Sequence, residues 1–440
     1  MIKVAKFGGT SLADSSQFKK VYDIVKNNEE RKFVVVSAPG KRFKGDNKIT
    51  DLLYLTYAHT KYSVPYDTVL NIIEERFLQI KVELNLSVDL KHEFEKIREH
   101  LEDKCSEDYI VSRGEYLSAL LLSDFLGCSF VDAKDIIFFN YDGTVNNVKT
   151  NTKIKELLDE HEKVVIPGFY GSYPDGSIRT FSRGGSDITG AIIASAVKAD
   201  IYENWTDVSG FLMADPRIVK DSKQIKHITY QELRELSYMG ASVLHDEAVF
   251  PVREAGIPIN IKNTNEPENP GTTIIGEMDM EETYENEYII TGIAGKKNFS
   301  IFYVHKEHMA NEVGILKNAL EVFESRGISI DHLPSSIDSF SIVLPSESVE
   351  KFSHEIAEEL KIKCQADTVK IYDNLSLVAT VGINMASKPG ISAKLFSALG
   401  NNNINIRMID QGSSEMNIIV GVENKDFERT IKAIYEAFVN

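Results

Sequence analysis

A chain of 440 residues is too long for one ordinary domain and predicts two or three. Its hydrophobic fraction of 42% and charged fraction of 26% are those of a globular protein and exclude a disordered or fibrous one. The formal net charge of −17 argues against nucleic acid and anionic membrane as partners, because both call for basic surface.

No apolar run reaches the roughly eighteen residues of a membrane span. The first apolar stretch is interrupted by Lys3 and Lys6, so no signal peptide is expected. Cys105, Cys128 and Cys364 are odd in number and far apart, which speaks against a disulfide framework and for a cytoplasmic setting. No Cys/His cluster has zinc spacing.

In chain order, residues 2–7 read as a buried strand, followed by a helix with Phe18, Val21, Tyr22 and Val25 on one face. Residues 33–37 form the next predicted strand. Residues 66–101 are charged and helical in pattern, an excursion from the sheet with no function assigned. Residues 117–126 predict an apolar helix opened by Arg113-Gly114-Glu115. Strands at 164–167 and 201–205 flank a small-residue helix at 188–199. Strands alternating with helices predict an α/β fold with a largely parallel sheet covered on both faces. An acidic run at 277–287 reads as a solvated linker.

The last third repeats itself. Gly314-Ile315 matches Gly390-Ile391, Ile328-Ser329-Ile330 matches Ile404-Asn405-Ile406, and Phe340–Val343 matches Met416–Ile419, each displaced by 76 positions. A constant offset over several elements predicts two copies of a strand–helix–strand–strand–helix unit of ferredoxin-like type. The expected division is 1–280 for the first domain, 281–290 for the linker, and 291–370 and 371–440 for the two modules, with the C-terminal end a candidate to complete the first module.

Three segments carry candidate chemistry. In Lys6-Phe7-Gly8-Gly9-Thr10-Ser11, glycines at a strand end let backbone N–H groups approach an anion, and Lys6 adds a point charge. The competing reading is a tight turn before a capped helix. Neither G-x-G nor a Walker A lysine is present; Asp46 stands where that lysine would be. In Ser182-Arg183-Gly184-Gly185-Ser186-Asp187, Arg183 can clamp a carboxylate, the glycines expose N–H groups, and Asp187 falls in a first helical turn. In Trp205–Gly210 and Asp215-Pro216-Arg217, Trp205 reads as core, Thr206 and Asp207 can bond a base or ribose, and Arg217 can reach phosphate.

These segments, with Ile49-Thr50-Asp51-Leu52-Leu53, Arg113-Gly114-Glu115 and Gly240-Ala241-Ser242-Val243-Leu244-His245, resemble the aspartokinases of the amino-acid kinase family. The resemblance runs in family order through the first domain, and the repeated modules look like paired ACT domains. It implies an αβα sandwich with a mainly parallel eight-stranded sheet, and ATP-dependent phosphorylation of the side-chain carboxylate of L-aspartate with Mg²⁺. Residue by residue, it implies that Lys6, Gly8 and Gly9 meet ATP phosphates, that Thr206, Asp207 and Arg217 meet the nucleotide, and that Thr50, Glu115, Arg183 and Ser186 meet aspartate. Asp187 would organise the site around Lys6. Three departures stand out: Ser242 for a common Lys, Leu212 for a common Tyr near the base, and Asp246 for a common Pro.

For the tail, the resemblance implies feedback inhibition by an amino acid, lysine first and threonine second, at Ser329, Ile330 and Asp331. Arg407 replaces Asp331 in the second copy, so unequal binding by the two modules is expected. A homodimer or larger assembly through the modules is expected too. The alternatives are a kinase for glutamate or an acylated glutamate, and a non-catalytic amino-acid sensor.

Overall fold

The computed structural model describes residues 1–182, 184–241, 244, 246–276 and 288–439. Two compact units result, Met1–Phe211 with Lys226–Tyr230 and Val243–Tyr284, and Leu212–Ile225 with Gln231–Ser242 and Glu285–Asn440.

The first unit is built on an eight-stranded sheet. Its strands are β1 (Lys3–Phe7), β2 (Arg31–Val36), β3 (Ser129–Phe130), β4 (Val164–Pro167), β7 (Ile201–Thr206), β8 (His227–Thr229), β9 (Ile259–Asn263) and β10 (Thr272–Ile275). Their spatial order is β3-β4-β2-β1-β7-β9-β10-β8, parallel except where β10 meets β9. A separate hairpin joins β5 (Tyr170–Ser172) to β6 (Ile178–Thr180).

Both faces of the central strands are buried, and the period of two decides what each side chain meets. Ala5 and Phe7, with Val34, Val36 and Trp205, share one core with helices α1 (Ser15–Lys26), α2 (Ile49–Lys61), α3 (Asp67–Leu84), α4 (Leu90–Glu102) and α5 (Glu107–Leu126). Trp205 stacks on Phe7 with centroids 5.9 Å apart, which confirms its place in the core. Tyr202 and Asn204, of opposite parity, meet helix α7 (Gly185–Val197) instead, Tyr202 through its hydroxyl at the Asp187 carbonyl. Small residues in α7 permit that closeness: a Cβ on Gly190 would fall 2.6 Å from the Tyr202 oxygen.

Two local readings are corrected. The glycine loop does not run straight into an α-helix: Gly9–Leu12 forms a 3-10 turn, and α1 begins only at Ser15, capped by the Asp14 carboxylate on the Gln17 N–H. Arg113-Gly114-Glu115 does not open a helix either. Ser106 caps α5 well upstream, so the three residues lie in its interior. Gly114 marks a close approach, since a Cβ there would sit 2.7 Å from that of Ala38.

The second unit holds a five-stranded antiparallel sheet in the order β12-β11-β13-β15-β14, formed by β11 (Gly292–His305), β12 (Ser339–Pro345), β13 (Thr368–Val381), β14 (Met408–Asp410) and β15 (Asn417–Glu423). The repeat is visible in three dimensions. β11 and β13 are each 14 residues long, lie 76 positions apart and pair with one another, from Gly292 opposite Val381 to His305 opposite Thr368. Helices α10 (Ile315–Glu324) and α12 (Ile391–Asn401) start the same distance apart, each after a left-handed glycine, Gly314 at φ 93° and Gly390 at φ 91°. Helices α11 (Ser353–Lys363) and α13 (Phe427–Val439) close the two copies. The Ile-x-Ile segments predicted as second strands are unpaired; pairing starts later, with His332 against Val343 and with β14 against β15.

Candidate active site

One cavity of about 540 Å³ opens in the first unit at the carboxyl ends of β1, β2 and β7, the end at which open parallel sheets bind ligands. Lys6, Gly8, Gly9, Thr50, Glu115, Ser186, Asp187, Thr206 and Asp207 all line it. Nine residues scattered from 6 to 207 in the chain therefore meet at one place.

Lys6 is on the α7 side of β1, and its ammonium lies 2.6 Å from the Asp187 carboxylate in the first turn of α7. Asn204, opposite Lys6 in the parallel register of β1 and β7, completes the cluster. Its carbonyl oxygen lies 3.5 Å from Lys6 Nζ, and its amide donates to Asp187 over 2.9 Å. Lys6 is only 7% exposed. Asn204 was missed from the sequence, although its place beside Lys6 in a neighbouring strand is what a parallel sheet dictates.

The floor is backbone. Gly40 donates to the Gly9 carbonyl over 2.7 Å, and a Cβ on Gly9 would stand 2.7 Å from the Ala38 oxygen. Only glycine leaves room for two chains to cross this closely. At the far wall Phe169 holds φ at 80°, a strained value for a bulky residue. Its N–H is tied to the Thr189 hydroxyl over 3.0 Å, and the Gly185 backbone packs against its ring.

Glu115, on α5, is buried at the cavity, and its Oε2 has no hydrogen-bond partner. Burial pushes its carboxyl up to about 8, and a backbone hydrogen bond from Ala38 opposes that shift only in part. A buried, cavity-lining carboxyl with an unused oxygen is suited to receiving a cation. Lys41 and Lys48, exposed and absent from the sequence-derived site, also line the cavity.

Arg217 falls in the second unit. Its guanidinium grips Asp215 at 2.6 Å, its side chain is 87% exposed, and it is not among the cavity residues. The two residues sit in a tight Asp-Pro-Arg turn, where neighbouring charges pair locally. Arg183, Ser242 and His245 lie outside the described residues, as does the acidic run at 277–287. Among the described residues no group of three or more acidic, His or Cys side chains is arranged for a metal.

In the second unit, Ser329 is exposed and Ile330 packs on the core of the first module. The Asp331 carboxylate accepts a hydrogen bond from the Tyr238 hydroxyl, which keeps that phenol protonated well above its usual range through burial and the carboxylate. Arg407, its counterpart, lies over the Tyr372 ring and 3.7 Å from Glu423. The two copies thus differ in charge and in partner.

Comparison with known proteins agrees with this geometry. The amino acid kinase family matches residues 1–263, and the ACT domain matches residues 378–438. Aspartokinase 3 of Bacillus subtilis (strain 168) is 36% identical over 455 aligned positions, covering 99% of this chain and 98% of that one. The crystal structure of Clostridium acetobutylicum aspartate kinase has a TM-score of 0.92 at 51% identity, covering 99% of each chain. E. coli aspartokinase III, solved in complex with lysine and aspartate, has a TM-score of 0.75 at 26% identity over the whole of both chains. The same enzyme solved with aspartate and ADP has a TM-score of 0.71 at 26% identity, covering 99% of each chain. Alignment over the full length, together with a kinase match that spans every strand of the eight-stranded sheet except β10, shows that the chain belongs to the amino acid kinase family and, within it, to the aspartokinases that carry ACT domains.

Proposed function

We propose that this chain transfers the γ-phosphoryl group of ATP to the side-chain carboxylate of L-aspartate, giving 4-phospho-L-aspartate and ADP, the first step toward lysine, threonine and methionine. The observation that carries this reading is the cavity itself, lined by a lysine–carboxylate cluster, a glycine floor and the buried Glu115 carboxyl, one oxygen of which has no hydrogen-bond partner. A relative solved with aspartate and ADP supports both substrates.

The nucleophile is a carboxylate, ionised at neutral pH because its ordinary pKa is about 3.9. One carboxylate oxygen bonds to the γ-phosphorus, the bond from phosphorus to the β–γ bridging oxygen breaks, and ADP leaves with that electron pair. No proton needs removing from the nucleophile, so the work is positioning and charge neutralisation. Lys6 stands at the phosphate end with Gly8 and Gly9, while Asp187 and Asn204 hold its ammonium in place. Thr206 and Asp207 take the nucleotide, and Arg217 is kept as a candidate contact. Glu115 takes the substrate ammonium, Thr50 and Ser186 bond its polar groups, and Arg183 clamps its α-carboxylate. Asp187 and Asp207, carboxylates lining this cavity, would hold Mg²⁺ brought with the nucleotide, and the ion would supply further neutralisation of phosphate charge.

A hydroxamate assay with ATP–Mg²⁺ and a panel of amino acids tests the assignment. Acyl phosphate is expected with aspartate, and a preference for glutamate would overturn it.

Control by lysine, threonine or both through Ser329, Ile330 and Asp331 belongs to the same proposal, supported by a relative solved with lysine. Asp331→Ala is expected to raise the inhibitor concentration needed for half-inhibition at least tenfold, on the scale of a lost charged hydrogen bond, with uninhibited turnover near normal. Titrating lysine and threonine into the assay checks this; loss of basal turnover would point to a structural role instead. The chain divides as 1–280, 281–290, 291–370 and 371–440 in this proposal, and it works as a cytoplasmic homodimer or larger assembly. The exposed Val313, Leu316 and Leu320 beside the effector segment support a second copy there, and sedimentation velocity decides the state.

A further inference from the structure

The segment between β2 and α2 contributes Lys41 and Lys48 to the cavity, yet little packing holds it. Residues 41–45, 47 and 48 are exposed, and even Phe43 is 63% exposed. What ties this loop down is hydrogen bonding at its base. Arg76, in the middle of α3, is 5% exposed and donates from Nη1 to the Asn47 carbonyl over 2.8 Å. Its Nη2 donates to the Gly40 carbonyl and, over 3.2 Å, to that of Ala13. Both stems of the loop, Gly40 and Asn47, therefore hang on one guanidinium. The same group holds Ala13, at the end of the 3-10 turn that begins at Gly9. Asp46 lies 3.4 Å from Arg76 and is bonded in turn by Arg42, whose hydrogen bond keeps that carboxyl well below the usual range.

We propose that Arg76 is a positioning residue for phosphoryl transfer: it fixes the Lys41–Lys48 loop against the glycine floor and so sets where two ammonium groups meet the nucleotide phosphates. This rests on the kinase reading given above. It assigns a task to α3, a helix that supplies none of the cavity-lining residues itself. The chemistry requires arginine, because a planar fork can serve three carbonyls at once, whereas a lysine ammonium on a single stem cannot span them.

A double-mutant cycle tests it. Lys41→Met with Lys48→Met is expected to lower kcat/KM for ATP about tenfold or more in the native background. In the Arg76→Lys background the same pair should cost less than about threefold, because the lysines are already misplaced. Arg76→Lys alone should raise the KM for ATP by about tenfold, with the melting temperature marking any purely structural loss. If Arg76→Lys does not fold, Arg76→Gln takes its place in the cycle. Equal losses from the lysine pair in both backgrounds, or no loss in the native one, would overturn the proposal. Repeating the cycle as ADP affinity by calorimetry keeps the two readings apart. Absence of acyl phosphate in the wild type defeats the kinase assignment, while additive ADP affinities defeat the role of Arg76.

Discussion

Lys6→Ala is expected to lower kcat by roughly a hundredfold or more, the scale of removing one donor aimed at transition-state charge, while the KM for aspartate changes little. The reason lies in how Lys6 is held. A strand, an ion pair at 2.6 Å and the Asn204 carbonyl hold its ammonium before any substrate arrives, so little reorganisation remains for the moment of reaction. Removing it also takes from the Asp187 carboxylate the ammonium with which it is paired. Asp187→Asn should therefore cost much less turnover in the Lys6→Ala background than in the native one. Steady-state kinetics at saturating aspartate and ATP on the four proteins of this cycle measures both effects; near-normal turnover of Lys6→Ala would remove Lys6 from the mechanism.

Glu115 gives the second large effect, and it carries a pH signature. With its carboxyl pushed up to about 8 by burial, the side chain is mostly neutral at pH 7 in the empty enzyme. An arriving ammonium favours the carboxylate, so binding releases a proton below that value. The sign follows: the KM for aspartate should fall as pH rises from 6 toward 8 and then level off, by at most tenfold per pH unit. Calorimetry in buffers of different ionisation heat should show nearly one proton released per aspartate at pH 7. Glu115→Gln should abolish this dependence and raise the KM at pH 8 roughly 10- to 150-fold, the equivalent of about 1.5–3 kcal/mol for a charged hydrogen bond. A KM profile as steep in Glu115→Gln as in the wild type would sink the assignment.

Much of this was legible in the sequence because strands end where ligands bind. The glycine pairs at 8–9 and 184–185 and the Thr206-Asp207 pair each follow a strand or open a helix, and they meet in one cavity. Local signals misled where a residue type has two uses. Gly114 looked like a helix start but serves a close contact within α5. Arg217, expected at the nucleotide, is paired with Asp215 two residues away, a local use that its type also allows. Arg76, Lys41 and Lys48 were hidden for another reason. A charged residue on an amphipathic helix and two lysines in a polar loop carry no pattern, and only tertiary structure joins them. In the second unit, the constant offset disclosed the repeat, but where sheet pairing resumes after α10 and α12 depends on neighbouring strands rather than on the Ile-x-Ile pattern.

The pairing of β11 with β13 has a consequence for how the tandem modules hold together. Gly292 faces Val381, and their counterparts 76 residues away, Thr368 and His305, face each other by the same rule. The contact is isologous, as in a two-fold symmetric dimer, but with both partners on one polypeptide. Each module is therefore the other's subunit, always present at the high effective concentration of a tether. Matching positions are free to diverge, Asp331 in one half and Arg407 in the other, while the shared seam keeps both in register. A chain cut back to a single module would bare a 14-residue edge strand. Such an edge recruits a like strand from another chain, so the truncated protein would rebuild the same seam between molecules.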